Sequence, residues 1–526
     1  MREVPKTLLL NKGLRTDWRF RRNGDQLTEL FNAEVTKNGV TKIVPVAPLL
    51  SDGVISAASA EINWPFPQII RGKRYTFLAN KNRLDIAMEA DWSLVEVDTY
   101  DAHAKNTLKG IATGNAWQIV DFGETWLLTN GVATIFRSGF DTLLGAPDRV
   151  YVQNTIPINT GCAFRGRAFF GGFDSDNFWD DHWKRFLADW ATRAEVGLSV
   201  SKPFDKNFVW WSTVGGGDML WLVYPEIYMS GHLSAGFTNE QPIIFDYWKR
   251  NESGFMPMPW RGYVLNMQSY GDGVMVYGED GVSYLKHSAD NSTFGLIEIF
   301  NHIGIASRSA AGGNDRNQLF VDSTGMLWLA VDGKGPERLG YQEFLEPLLG
   351  TDIVVSYSEQ DDVFYVSGEG ATYKLSRYGL SRIDQTITSV LIANGKTKGI
   401  CTDLGENDSE IKIVSDVLDF GIRGQKTITQ VEIPVQLDHD AGENYYVSIY
   451  YRYEKNKNFA QTEWRPVNKE GWVRFYVSAV EFRIGLKCTS FEEADVPESV
   501  TVHVAYADKR GIRGQNVSEA VTRIGE

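Results

Sequence analysis

One pattern constrains this chain more than any other: a short apolar strand, a turn centred on Gly or Asn, and a second apolar strand. It reads YTFLANKNRLDI at 75–86, TWLLTNGVATIF at 125–136, VMVYGEDGVSYL at 274–285, QLFVDSTGMLWL at 318–329 and VFYVSGEGATYKL at 363–375. Alternation with period two on either side of such a turn is the signature of a β-hairpin. Further short strands, such as GYVLNMQSY and RNQLF, sit beside these hairpins and give units of about 40–50 residues. No amphipathic helices separate the copies, which favours a ring of antiparallel blades over a sandwich or a parallel βαβ sheet. The reading for residues 47–405 is an all-β fold of the β-propeller type.

After about residue 405 the strands lengthen and alternate more regularly: KIVSDVLDFG, KTITQVEIPVQLD, NYYVSIYYRYEK, WRPVNKEGWVRFYVS, AVEFRIGLKCTS and ESVTVHVAYADKR. They predict a C-terminal antiparallel β-sandwich over 406–526. Residues 1–46 form an N-terminal arm. Its segment NGVTKIVPV is expected to act as a clasp strand on the last propeller strands, because a ring must cover the edge where its first and last blades meet. Within 175–200, Trp179, Trp183, Phe186, Leu187 and Trp190 recur at helical spacing, which predicts a short aromatic-faced helix inserted in the propeller.

The 50 glycines and the 13% aromatic content suit many tight turns and flat side chains between sheets. The formal net charge of −14 opposes tight binding to a phosphate backbone, while leaving weak, passing contact with DNA in a channel possible. Cys162, Cys401 and Cys488 lie far apart without metal-ligand spacing and read as buried thiols. No apolar run reaches the roughly 18 residues of a membrane span, and MREVPKTLLLNKG is too short in apolar residues for a signal peptide, so no membrane anchor is expected and synthesis in a cytosol is.

Chemistry-bearing motifs are missing. There is no GxSxG elbow, P-loop, HExxH or strand-borne GxGxxG, and the seven histidines are scattered. His182 follows Asp180 and Asp181, but adjacent positions on a helix do not face one another. Asp218, Asp272 and Glu279 suggest a glycosidase-like pair only until one notes that acidic residues are the ordinary occupants of Gly-rich turns. No catalytic, metal-binding or cofactor-binding residue is therefore assigned, and no enzyme activity or cofactor is expected. The tetrapeptide IRGQ occurs twice, as Ile422-Arg423-Gly424-Gln425 and Ile512-Arg513-Gly514-Gln515, bracketing the sandwich. A planar cation beside Gly on a turn suits a protein interface. The candidate interface residues are Arg423, Gln425, Arg513 and Gln515, joined by Arg15 and Asp17 of the arm.

The opening GLRTDWRFRRNGDQLTELFNAEVTKNGVTKIVPV resembles the start of tailed-phage propeller proteins that form the tail hub or nozzle of short-tailed phages. Gly13, Thr16, Asp17, Asn32, Gly39 and Lys42 occupy that family's Gly-x-x-Thr-Asp, Asn and Gly-turn-basic positions. FVWWSTVGGGD and VLDFGIRGQKTITQVEI are similar to its middle and C-terminal segments, whereas Val44-Pro45-Val46 stands where members carry Pro-Gly. The resemblance implies a non-enzymatic virion protein in a homo-hexameric ring below the head-to-tail connector, continuing the DNA channel. Connector or adaptor proteins would lie above it, and a plug, needle or fibre below. The alternatives are a propeller that binds or cleaves host-surface carbohydrate, and a peripheral fibre or baseplate adaptor.

Overall fold

A computed structural model describes residues 3–10, 12–16, 26–48, segments between 68 and 173, 205–214, 254–300, 301–401 and 410–506, apart from short breaks. The chain divides into two compact units. One combines Met1–Pro45, Ala371–Gln385 and Asp403–Glu526; the other combines Val46–Gly370 and Thr386–Thr402.

The second unit is a propeller. Among the described residues, seven mainly antiparallel sheets begin with the strands Gln68–Arg71, Gln118–Asp121, Ile158–Phe164, Val264–Tyr270, Ala311–Gly313, Val354–Ser358 and Ile387–Ala393. Consecutive first strands touch one another, and the seventh returns to the first, so the ring is closed. All five hairpins expected from the sequence have their strands in place, for example Gly273–Gly278 with Val282–His287 and Asn317–Val321 with Leu327–Val331. In the fifth, Val363–Gly368 and Ala371–Ser376 fall on either side of the division between the units.

Burial follows position within a sheet. Second strands such as Trp126–Thr129 and Gly273–Gly278 are buried at every residue, because both faces are covered, and they accordingly read as continuous apolar runs. Outermost strands such as Glu337–Gly340 are largely exposed. Where the third and fourth sheets pack, Phe169, Val209 and Trp211 share a core with Val264, Met267, Val274 and Phe294, and the Phe169 and Phe294 rings stand edge to face at 4.9 Å. Trp260 lies flat against Gly278 and Gly281. A Cβ at either would come within 2.4 Å of its ring, so only glycine admits the indole there.

The ring closes on an N-terminal strand, placed slightly differently from the expectation. The clasp is Ala47–Pro48, which pairs in parallel with Lys396–Cys401 of the seventh sheet. Gly39–Lys42, inside the segment expected to clasp, instead turns back on Ala33–Thr36 as its own hairpin.

The first unit is the β-sandwich, and all six C-terminal strands expected from the sequence are present. One sheet has the order Glu3–Leu9, Ser499–Tyr506, Lys426–Glu432, Trp472–Ala479. The other runs Gly379–Ile383, Leu27–Phe31, Ile411–Ser415, Glu481–Cys488, Tyr445–Arg452. Alternation buries Val500, Val502, Val504, Ile428 and Val431 on one sheet and Ile413, Phe482, Ile484 and Leu486 on the other. Residues 1–45 are thus woven into both sheets of the sandwich rather than forming a separate arm, and Ala371–Gln385 joins them there instead of staying with the propeller. The helix expected over 175–200 lies outside the described residues.

Candidate functional site

The first strand of every propeller sheet borders the ring axis and presents backbone N–H and C=O groups that its own sheet leaves unpaired. Side chains of the neighbouring sheet meet this need in a nearly regular series. Gln68 Oε1 accepts from Trp117 N–H at 2.6 Å, and Gln118 Oε1 accepts from the Thr160 hydroxyl and from Gly161 N–H. Asn159 Nδ2 donates to Val264 O at 2.7 Å, Asn266 Nδ2 to Arg308 O at 2.9 Å, and Gln268 Nε2 to Ala311 O at 3.0 Å. Ser307 Oγ donates to Ile353 O, Val390 N–H donates to Ser356 Oγ, and Ile69 N–H donates to Ser389 Oγ, which closes the circle. The blades are therefore stitched by short polar side chains as well as by apolar packing.

Inside this circle lies a cation. Arg308 is only 9% exposed and precedes the first strand of the fifth sheet. Its Nη1 donates to Asn159 Oδ1 at 2.8 Å and its Nη2 to Thr129 O at 3.3 Å, groups of the third and second sheets. A side chain that reaches past the fourth sheet in this way crosses the interior of the ring. Gly131 makes room for it, since a Cβ there would stand 2.7 Å from Nη1. Among the described residues no carboxylate pairs with Arg308, and its Nε, Ser309 Oγ and Asn266 Oδ1 are buried without a hydrogen-bond partner. Burial lowers the guanidinium's affinity for its proton, with a pKa down to about 9. Nothing in the sequence separates this arginine from a surface one; the cue was its place just ahead of a first strand, beside Ser307 and Ser309.

The residues singled out from sequence fall elsewhere. Arg15 is not displayed at a surface: it pairs with Asp416 at 3.1 Å inside the sandwich unit, where the Asp416 side chain is 1% exposed. Gln425 is exposed, while Asp17, Arg423, Arg513 and Gln515 lie outside the described residues. Asp272 and Glu279 flank opposite ends of Gly273–Gly278, roughly 20 Å apart along a strand. A glycosidase pair needs about 5–10 Å. Asp272 accepts from the Tyr284 hydroxyl, which holds its carboxyl below the usual range, and Glu279 accepts from Tyr263 N–H at 2.9 Å. Asp180, Asp181, His182 and Asp218 lie outside the described residues. The three cysteines are free and buried. Among the described residues no His, Cys, Asp and Glu group has the form of a metal site, and no helix is long and apolar enough to cross a membrane.

The positions that carry the phage-protein resemblance are structural. Asn32 is 4% exposed with φ at 53°, in the left-handed region that Asn tolerates better than most residues. Its Nδ2 donates to Glu410 O at 3.0 Å, and its Oδ1 accepts from Asp384 N–H at 2.9 Å. Its backbone N–H donates to Arg382 O at 2.8 Å. One side chain thereby ties together the three chain segments of the sandwich unit. Gly13 and Gly39 both take positive φ, and Gly13 O accepts from Leu27 N–H at 2.9 Å.

No family model and no curated protein matches the chain. Several solved structures share its strand-rich character at low similarity. PorZ, a bacterial surface component of the type-IX secretion system of Porphyromonas gingivalis, is 8% identical with a TM-score of 0.29; 77% of this chain and 46% of PorZ are covered, so the chain spans about half of PorZ's length. The Pan2 WD40 domain of Neurospora crassa is 5% identical over 64% of this chain and 87% of its own, with a TM-score of 0.33. Sqt1 of Saccharomyces cerevisiae is 9% identical over 78% and 95%, with a TM-score of 0.32.

Proposed function

We propose that this chain is a structural protein of a tailed phage, a hub or nozzle subunit that assembles with further copies into a ring below the head-to-tail connector and continues the DNA channel. The observation that carries the reading is the use made of the resemblance residues. Asn32, Gly13 and Gly39 are positions where the backbone conformation or a buried hydrogen-bond pattern restricts the residue type, so their match to the phage family follows the architecture. The absence of a catalytic pair at Asp272 and Glu279, the net charge of −14 and the closed, polar-stitched ring fit a rigid, non-adhesive component. A carbohydrate-binding propeller would need tryptophans exposed for stacking on sugar rings. Among the described residues Trp117, Trp126, Trp210, Trp211 and Trp260 are buried, Trp328, Trp464 and Trp472 are half-buried, and no tryptophan is fully exposed.

Cross-linking mass spectrometry on phage particles that contain the chain tests this. Links between copies, together with links to a connector protein, are the expected result. Particles in which every link runs to a peripheral fibre would overturn the hub reading.

A further inference from the structure

The side chain of Arg308 is a charge in an interior that supplies no opposite charge among the described residues. A buried cation without a counter-charge is strongly unfavourable, and proteins resolve this by pairing it or by binding an ion. A guanidinium has five N–H donors. Only two make hydrogen bonds here, both to uncharged oxygens, on Asn159 and Thr129. The position is also held firmly. Asn159 is fixed by its bond to Val264 O, the Arg308 backbone is fixed by Asn266, and Gly131 leaves the guanidinium its space. A fork of donors rigidly presented in this way matches an oxyanion's paired oxygens.

We propose that the interior of the propeller ring binds one small oxyanion, of the carboxylate or phosphate class, on the guanidinium of Arg308. Its source is either a free anion of solution or a carboxylate borne by a protein segment. Nε is sealed from solvent, so the anion is taken by the remaining Nη hydrogens. The bound charge balances the cation and joins the fifth sheet more firmly to the second and third.

The test is thermal unfolding of the full chain in chloride at constant ionic strength, titrated separately with inorganic phosphate and with acetate. The wild type is expected to show a saturable rise of about 5 °C at a hundred-fold excess over the dissociation constant. Arg308→Gln is expected to show none, and Arg308→Lys, which keeps the charge without the fork, a smaller rise. Phosphate and acetate acting alike indicate recognition of the charge, whereas phosphate alone identifies the phosphate class. Equal rises in wild type and Arg308→Gln would overturn the proposal. So would the absence of any saturable rise in the wild type. Should Arg308→Gln fail to fold, equilibrium dialysis of wild type against labelled phosphate decides: about one phosphate per chain, displaced by acetate, supports the site, and none refutes it.

Discussion

Replacing Asn32 by Gly and by Ala separates the two jobs this residue does. Both variants lose the bonds to Glu410 O and Asp384 N–H, leaving two partly buried backbone groups without that partner, which costs about 1–2 kcal/mol. The backbone term then distinguishes them. Elsewhere Gly is less stable than Ala by about 0.5–1 kcal/mol, because its unfolded chain is freer. At Asn32, with φ at 53°, Ala carries a left-handed penalty of about 1–2 kcal/mol that Gly escapes. The order therefore inverts: Asn is most stable, Gly next, and Ala lowest by about 0.5–1 kcal/mol. Urea unfolding followed by far-ultraviolet circular dichroism measures it, and in a domain of this size each kcal/mol moves the melting temperature about 2–4 °C. An Ala variant at least as stable as Gly would refute the backbone argument. Both variants lying within about 0.5 kcal/mol of wild type would refute the hydrogen-bond argument.

Asp322 is 2% exposed, and its carboxylate accepts from Thr324 N–H, the Thr324 hydroxyl, Met326 N–H and Trp328 Nε1, all at 2.7–3.0 Å. Asp322→Ala is expected to destabilise the propeller by about 3 kcal/mol and Thr324→Ala by only about 1 kcal/mol, read by urea unfolding; equal effects would count against the assignment. The buried thiols of Cys162, Cys401 and Cys488 should resist a thiol reagent in the native protein and all react in denaturant, with no effect of reductant on melting. A rapid native reaction would contradict their burial. Burial raises the folded-state pKa of Tyr277 and Tyr284 above 10 and that of Cys488 up to about 12, so their contribution is fully present below the unfolded values near 9–10 and lost as pH rises beyond them. Melting temperature should fall above about pH 9–10, with tyrosinate absorbance from these residues appearing only on unfolding. Early tyrosinate absorbance from the folded protein would show that they are not sealed.

What was legible in the sequence is what neighbouring residues decide. The hairpins at 75–86 and 318–329 and the alternating strands Ser499–Tyr506 and Glu481–Cys488 announce themselves through period-two patterning and turn chemistry. Membership of a unit is not local. ATYKLSRYGLSRI has the same alternation as any propeller hairpin, yet its second strand pairs with Leu27–Phe31 in the sandwich unit, through Phe31 and Arg382. Glu3–Leu9 gives no local sign of its partner, Ser499–Tyr506, which lies almost 500 residues away. The stitches around the axis were equally hidden: Gln118, Asn159 and Ser356 look like ordinary strand polar residues until their sheets are placed side by side. Arg15 shows the reverse error, since an arginine near a Gly and an Asp reads as an interface residue when its partner Asp416 is invisible.

These long-range pairings also impose an order on folding. Ser499–Tyr506 is an inner strand of its sheet, between Glu3–Leu9 and Lys426–Glu432, so Glu3–Leu9 has no strand partner until Ser499–Tyr506 is made. The propeller reaches closure earlier, when Ile387–Ala393 and Lys396–Cys401 can meet Gln68–Arg71 and Ala47–Pro48. Pairings of such sequence separation carry a large loop-closure cost, and they slow folding more than they alter final stability. Glu3–Leu9 therefore waits with unpaired edges until Ser499–Tyr506 is made, and Leu27–Phe31 until Gly379–Ile383 and Ile411–Ser415 are. The charges along this segment, from Lys6 and Lys12 through Glu29 and Glu34, are of the kind that disfavours pairing of an open edge with another chain. In the finished sandwich unit two of these charges are reused, as Lys412 pairs with Glu29 at 2.9 Å and Lys374 with Glu34 at 2.8 Å. The polarity of the opening stretch thus suits an edge that is left open early and is tied by ion pairs in the folded unit.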